Sequence, residues 1–213
     1  MGKVIVLATS KGGAGKSTLV RSLSSHYVFS GFKAAVIDAD PQGSIINRHD
    51  SSGQLKNLYV SAEPEEQVSA LIEDLKKTYS PVIVDTGGFR NRTTIRSLVS
   101  ADLAIIPLKP SADDVAAAIE TQELIKEINE TPERLGNPIK YRMILTMTQQ
   151  GTIISKQVRR ELEEMGYLLL KSELFQRFAY PEAAISGLSP SIIDPEGAAA
   201  RDIAAIVYEI SKI

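Results

Sequence analysis

The stretch Ser10-Lys-Gly-Gly-Ala-Gly-Lys-Ser-Thr18 constrains this chain more than any other. It follows a continuous apolar run, Val4-Ile-Val-Leu-Ala8, of the kind a parallel strand shows when both its faces are covered. It precedes a helical pattern in which Leu19, Leu23 and Tyr27 share one face. Strand, glycine-rich turn and helix in that order are the setting of a phosphate-binding loop. Gly12, Gly13 and Gly15, with Ala14 among them, let backbone N–H groups turn inward around phosphate oxygens. The helix start over Lys16, Ser17 and Thr18 adds its positive dipole end. Lys16 can reach the β- and γ-phosphates, and the Ser17 hydroxyl offers a ligand to Mg²⁺. Ser10 replaces the first glycine of the usual pattern, and an additional lysine, Lys11, stands inside the loop. Alone, Lys11 reads as a solvated loop charge.

Short strand-like runs alternate with helical patterns to the end of the chain. Strands are expected at 34–37, 57–62, 82–84, 103–106, 143–145 and 168–170. Helices are expected over 68–75, over 113–129 with Ser111 as N-cap, over 153–165 up to Gly166, near 181–186 and near 197–212. The segment 131–140 reads as a loop. Alternation of this kind predicts a single α/β domain over 1–213, with a mostly parallel twisted sheet and helices on both faces. The 213 residues contain no Cys, which excludes disulfides, thiolate zinc sites, Cys-ligated iron–sulfur clusters and thiol nucleophiles. The two histidines, His26 and His49, are too few for a His-built metal centre. A net charge of −2 excludes a polycation but not a local basic patch. No apolar run reaches the roughly 18 residues that span a bilayer, and a cytoplasmic protein is expected.

A phosphate loop needs carboxylates near the metal and the attacking water, at the C-terminal ends of strands. Asp38, Asp40 and Asp85 meet that condition. Any one alone could be an N-cap or a turn former, but three accompanying such a loop point to a site. After Asp85 the chain reads Thr-Gly-Gly-Phe-Arg-Asn-Arg92. Gly87-Gly88 could make a pliable loop that senses a γ-phosphate, or a plain tight turn.

The order Lys-Gly-Gly-x-Gly-Lys-Ser/Thr is the deviant Walker A motif, and the chain resembles the ParA/MinD group of P-loop ATPases. Asp38-Ala-Asp-Pro-Gln-Gly43 is similar to the group's Asp-x-Asp-Pro-Gln segment. The resemblance implies ATP/ADP and Mg²⁺ as ligands. It also implies that Lys11 reaches across an ATP-sandwiched homodimer to the partner's phosphates. By the same resemblance Asp40 positions or activates the hydrolytic water, Asp38 contacts the metal shell, and Asp85 is the Walker B aspartate that holds Mg²⁺ through water. Leu103-Ala-Ile-Ile-Pro-Leu-Lys-Pro110 resembles the proline-containing segment of small plasmid-partition members, which lies near the dimer contact. Asp194-Pro-Glu-Gly197 is similar to a region that lies close to the adenine, making Pro195 a candidate base contact.

Within this group the nitrogenase iron protein and the iron–sulfur scaffold ATPases need cysteines, and MinD-like members end in a basic amphipathic tail. The last helical pattern here has Ile203, Ile206, Val207 and Ile210 on one face with only Arg201 and Lys212 as cations, which suits core packing rather than a membrane. With the first strand starting at Lys3, no N-terminal DNA-reading domain is expected. The resemblance implies slow ATP hydrolysis, stimulation by a ParB-class centromere-binding adaptor, and non-specific DNA binding by a nucleoid-associated ATP-bound dimer. Candidate DNA contacts are Arg90, Arg92, Arg96, Lys140, Arg142, Arg159, Arg160, Lys171 and Arg177, of which Arg177 best matches a DNA-contact position of the group. Glu161, Glu163 and Glu164 beside Arg159-Arg160 weaken that pair. The rival readings are a positioning ATPase for protein or membrane cargo without DNA contact, and a phosphoryl-transfer ligase resembling dethiobiotin synthetase. The Asp-Ala-Asp-Pro-Gln segment disfavours the ligase, because it suits a hydrolytic water.

Overall fold

The computed structural model describes residues 2–49, 53–63, 65, 67–88 and 90–213. Its centre is β1 (Val4–Leu7), whose four side chains are fully buried. Alternate residues serve opposite layers: Val4 and Val6 pack with one group of helices, Ile5 and Leu7 with the other, as the period of a strand requires. The remaining strands are β2 (Ala34–Ala39), β3 (Leu58–Ala62), β4 (Val82–Thr86), β5 (Leu103–Leu108), β6 (Lys140–Thr148) and β7 (Leu174–Phe175). They form one sheet in the order β3-β2-β4-β1-β5-β6-β7, and every pairing is parallel. All seven strands therefore direct their C-terminal ends to one side, where a doubly wound sheet places its ligand.

Two helical layers cover the sheet. On one face lie α2 (Val68–Leu75), α3 (Arg92–Val99), α4 (Ala112–Asn129) and α5 (Ile153–Glu164), which bury Val68, Ile72, Leu98, Ile125 and Leu162 among others. On the other lie α1 (Lys16–Phe29) and α8 (Ala198–Ile210), with the shorter α6 (Ala179–Ile185) and α7 (Pro190–Ile193) beside them. The expected stripe of α1 is realised, with Leu19, Leu23 and Tyr27 all buried. The apolar face of α8 is likewise internal, Ile203, Ile206 and Ile210 being fully buried. Each buried aliphatic side chain of this kind contributes about 1.5–3 kcal/mol. Ser111 caps α4 as expected, its hydroxyl accepting from the Asp114 N–H. Among the described residues no helix is long and apolar enough to cross a membrane.

Two local expectations change, and one helix is added. Residues 168–170 do not form a strand; only Leu169 bridges Met143. The chain leaves the ladder there because the Lys171 and Ser172 N–H groups donate to the Glu209 carboxylate, and the sheet resumes at β7. Strand β6 is longer than 143–145, running from Lys140 to Thr148. Helix α3 was not foreshadowed by an apolar stripe, since Leu98 is its one buried large apolar side chain. Its start is set by Asn91, whose side chain accepts from the Thr94 N–H at 2.6 Å.

Candidate functional site

The glycine-rich loop lies between β1 and α1. Gly13 and Gly15 adopt positive φ values of 75° and 89°, where a side chain would be strained. Ala14 is buried, and its carbonyl accepts from the Thr146 hydroxyl at 2.9 Å, which ties the loop to β6. Gly15 is the N-cap of α1, with the Leu19 N–H donating to its carbonyl. Lys16, Ser17 and Thr18 then form the first turn of α1, partly open to solvent. Burial draws the Lys16 ammonium below its ordinary range, and the nearby charges of Asp85 and Asp40 oppose this.

Register brings the expected carboxylates together. Asp85 in β4 is the neighbour of Leu7 on one side and Asp38 on the other. Asp85 is fully buried, and among the described residues neither of its side-chain oxygens has a hydrogen-bond partner. Burial pushes its carboxyl up to about 7, with Ser17 and Lys16 pulling down and Asp38 and Asp40 pushing further up. An orphaned, buried carboxylate facing Ser17 and Lys16 is the arrangement that a hydrated divalent cation with phosphate ligands would satisfy, so the residues present fit Mg²⁺.

Asp38 has a different environment. It is also fully buried, but its Oδ2 accepts from the backbone N–H of Ile45 at 2.8 Å and of Ile46 at 3.0 Å. Oδ1 accepts a longer bond from the Asp40 N–H at 3.4 Å. Asp38 thus spends its charge organising the loop after β2. Asp40 stands on that loop, partly exposed, with the Gln42 N–H on its Oδ1. Gly87 lies against it: a Cβ there would meet Pro41 Cδ at 3.1 Å and Asp40 Cα at 3.2 Å. The absence of a side chain at Gly87 lets the loops after β2 and β4 touch. The geometry requires close approach at Gly87, a role that neither the pliable-loop nor the tight-turn reading of Gly87-Gly88 anticipates.

Lys11 points away from its own helix start. Its ammonium is 3.0 Å from Asp114 Oδ2 and 3.3 Å from Asp113 Oδ2, both in the first turn of α4. These hydrogen bonds, Asp114 foremost, raise the Lys11 ammonium above its ordinary range. Burial works against the charge of Asp114, but the Ser111 hydroxyl, Lys11 and the Lys109 N–H together hold it below the usual carboxylate range.

Beyond Thr18 opens a cavity of about 670 Å³, lined by Thr18, Met147, Gln149, Phe175, Gln176 and Phe178 among others. Met147 sits there with φ 53° at the irregular register between β6 and β7. Thr18 is expected here from the sequence, but Met147 and Gln149 are not, because a β-bulge gives no local motif. Pro195 does not line the cavity. It lies on the exposed turn between α7 and α8. Ser191 of α7 meets His26 at 3.1 Å, ten residues along α1 from Lys16 and so about 15 Å from the loop.

The expected basic residues are largely engaged. Arg177 makes a bidentate pair with Asp202 at 2.6 and 3.1 Å and lies over the Phe175 ring. Arg90 pairs with Glu127, Arg159 with Glu173, and Arg160 with Glu164 at 3.9 Å. Lys140 and Arg142 donate to the carbonyls of Ile213 and Tyr141. Arg92 and Arg96 lie on α3. Lys171 borders a cleft of about 390 Å³ together with Lys156 and Arg201, which the sequence reading had not included, and the acidic Glu173 and Asp202.

A family model described as the CobQ/CobB/MinD/ParA nucleotide binding domain matches residues 5–190. The chain belongs to this family. It is 29% identical over 182 residues to the protein ParA of Rhizobium radiobacter, covering 83% of this chain and 80% of that one. It is 25% identical over 209 residues to the maintenance of carboxysome distribution protein A of Halothiobacillus neapolitanus, covering 93% and 91%. Its fold matches that of the septum site-determining protein MinD of Pyrococcus horikoshii, solved with Mg-ADP, at a TM-score of 0.78 and 16% identity, covering 100% and 97%. The fold is thus that of a CobQ/CobB/MinD/ParA nucleotide binding domain, and the matched residues include the loop after β1.

Proposed function

We propose that this chain is an ATP-driven dimerising switch that partitions a plasmid or a chromosome. ATP lays its phosphates along Gly12–Thr18 and its base in the cavity beyond Thr18, a place that Met147, Gln149 and Phe178 suit better than Pro195. Ser17 would hold Mg²⁺ directly and Asp85 through water, and the ion would supply charge neutralisation at the phosphates. Lys16 binds the same oxygens. Asp40 orients or activates the attacking water, while Asp38 fixes the loop on which Asp40 stands and lies next to the metal's shell. Hydrolysis to ADP and phosphate resets the switch, and a ParB-class adaptor accelerates it.

The observation that carries this reading is Lys11. A lysine of the phosphate loop is held by Asp113 and Asp114 of its own α4 and is thereby kept off its own phosphate site, ready for transfer to that of a second copy. In the ATP-bound homodimer two nucleotides are sandwiched, each subunit's Lys11 reaching the other's phosphates. The dimer then binds non-specific DNA through a doubled basic rim, for which Lys156, Lys171 and Arg201 are the exposed candidates, with Arg177 behind them in its pair with Asp202.

A second reading, positioning of a protein cargo without DNA, is favoured by the carboxysome-distribution relative and by the carboxylates that occupy Arg90, Arg159, Arg160 and Arg177. A mobility-shift assay on duplex DNA with ATP, with ADP and without nucleotide separates the two. A shift that needs ATP and weakens steeply with salt is expected for partition. No shift at low salt would refute DNA binding and leave cargo positioning.

A further inference from the structure

We infer that Arg21 positions the loop that carries Asp40 and ties it to the helix that carries Lys16 and Ser17. The inference rests on the ATPase reading above and adds to it a residue outside every motif of the site. Arg21 lies five residues beyond Lys16 on α1, about 7.5 Å along the helix axis, where its partly buried side chain turns toward the strand ends. Its Nη2 donates to the Ser44 carbonyl at 2.9 Å. The next two N–H groups of the same loop, Ile45 and Ile46, donate to Asp38. The segment 44–46 is thus fastened from two directions, by a carboxylate within β2 and by a guanidinium from α1.

The rest of the loop transmits that hold to Asp40. The Gly43 N–H donates to the Asp40 carbonyl at 2.9 Å, and Gly43 turns the chain with φ 62°. Only three residues separate Asp40 from Ser44, so a shift at Ser44 displaces the Asp40 carboxylate. The charges around Arg21 suit a bridging role. Burial and Arg48 draw the Arg21 guanidinium below its ordinary range, and Asp85 and Asp38 lie close enough to favour its charge. Arg48 also donates to the Ser44 carbonyl, but at 3.4 Å and from an exposed position. A planar guanidinium holds direction and charge where a lysine would hold only charge. Any movement of the first turns of α1 on engaging phosphate is passed directly to the loop bearing the water-positioning residue.

The test uses the full chain with Arg21→Met, Arg21→Lys and Arg48→Met, measuring ATP affinity with a fluorescent ATP analogue, steady-state kcat and KM, and amide exchange over 40–46 with Mg·ATP. Arg21→Met should lower kcat about 10- to 100-fold, the scale of a misplaced reacting group, leave KM and nucleotide affinity nearly unchanged, and speed exchange at 44–46. Arg21→Lys should recover part of both effects, and Arg48→Met should resemble the unaltered protein. If Arg21→Met folds poorly, the Lys variant carries the test by the same split. Unchanged kcat with unchanged exchange at 44–46, or a rise in KM at constant kcat, would overturn the role. Asp40→Ala in parallel separates the two levels. If it hydrolyses ATP normally, the assignment of Asp40 fails, and faster exchange at 44–46 in Arg21→Met would still establish the tether.

Discussion

Replacing Asp38 by Asn distinguishes a carboxylate that organises a loop from one that serves the metal. In the folded protein Asp38 is fully buried and takes two short backbone bonds on Oδ2, from Ile45 and Ile46, and one long bond on Oδ1 from Asp40. An amide oxygen can still accept both short bonds, but as a neutral acceptor. Hydrogen bonds to a charged group contribute about 1.5–3 kcal/mol and neutral ones about 0.5–1.5, so two such bonds lose about 2–3 kcal/mol. The amide's NH₂ must also face the Asp40 N–H, donor against donor, which adds to the loss. For a chain of this size each kcal/mol moves the melting temperature by about 2–4 °C, giving a fall of about 5–10 °C. The assay is thermal unfolding in EDTA without nucleotide, then with Mg·ATP. The fall should be present in full without metal or nucleotide. An unchanged melting temperature in EDTA, with destabilisation seen only alongside Mg²⁺, would refute the loop-organising role and return Asp38 to the metal.

Lys16→Ala should abolish nucleotide binding in equilibrium titration. Lys11→Ala should leave binding by the isolated chain intact yet remove ATP-driven dimerisation in light scattering; normal hydrolysis by that variant would sink the sandwich arrangement. Gly87→Ala brings a Cβ to 3.1–3.3 Å from Pro41 and Asp40, so hydrolysis should slow while ATP affinity is retained, which parallel turnover and binding measurements check. Asp85 is raised to about 7 in the folded protein, well above its unfolded range. Between pH 4 and about 7 the folded state therefore holds the extra proton, and metal-free stability contributed by this group falls as pH rises through that window. Mg²⁺ needs the ionised form, so calorimetry should show proton uptake by buffer on Mg·ATP binding near pH 6 that disappears at pH 8 and in Asp85→Asn.

The phosphate loop was legible because consecutive residues supply it and its flanking strand and helix have strong, different periods. Asp38 and Asp85 were legible as strand ends, and parallel register then made them neighbours. The work that Asp38 does was not legible, because its partners are the N–H groups of Ile45 and Ile46, which every residue but proline presents. The state of the arginines was equally hidden. Arg177 and Asp202 lie 25 residues apart, and Arg90 and Glu127 lie 37 apart, so each pair exists only once the helices have packed. Helix α3 escaped notice because Thr93, Thr94 and Ser97 fill its inner face with small polar side chains; Asn91 as N-cap was the signal available. The cavity beyond Thr18 depends on β6 meeting β7, and a two-residue strand leaves almost no periodic trace.

In the proposed dimer, the two carboxylates that hold Lys11 would limit how firmly two copies commit to each other. Each subunit would arrive at an encounter with its reaching cation already satisfied, and would surrender an internal ion pair to gain an external one. Part of the attraction between subunits would thereby be cancelled in advance. Such an assembly would form with triphosphate on both sides and come apart when one terminal phosphate departs, so that reversibility would be built into the first turn of α4 rather than left to the rate of chemistry.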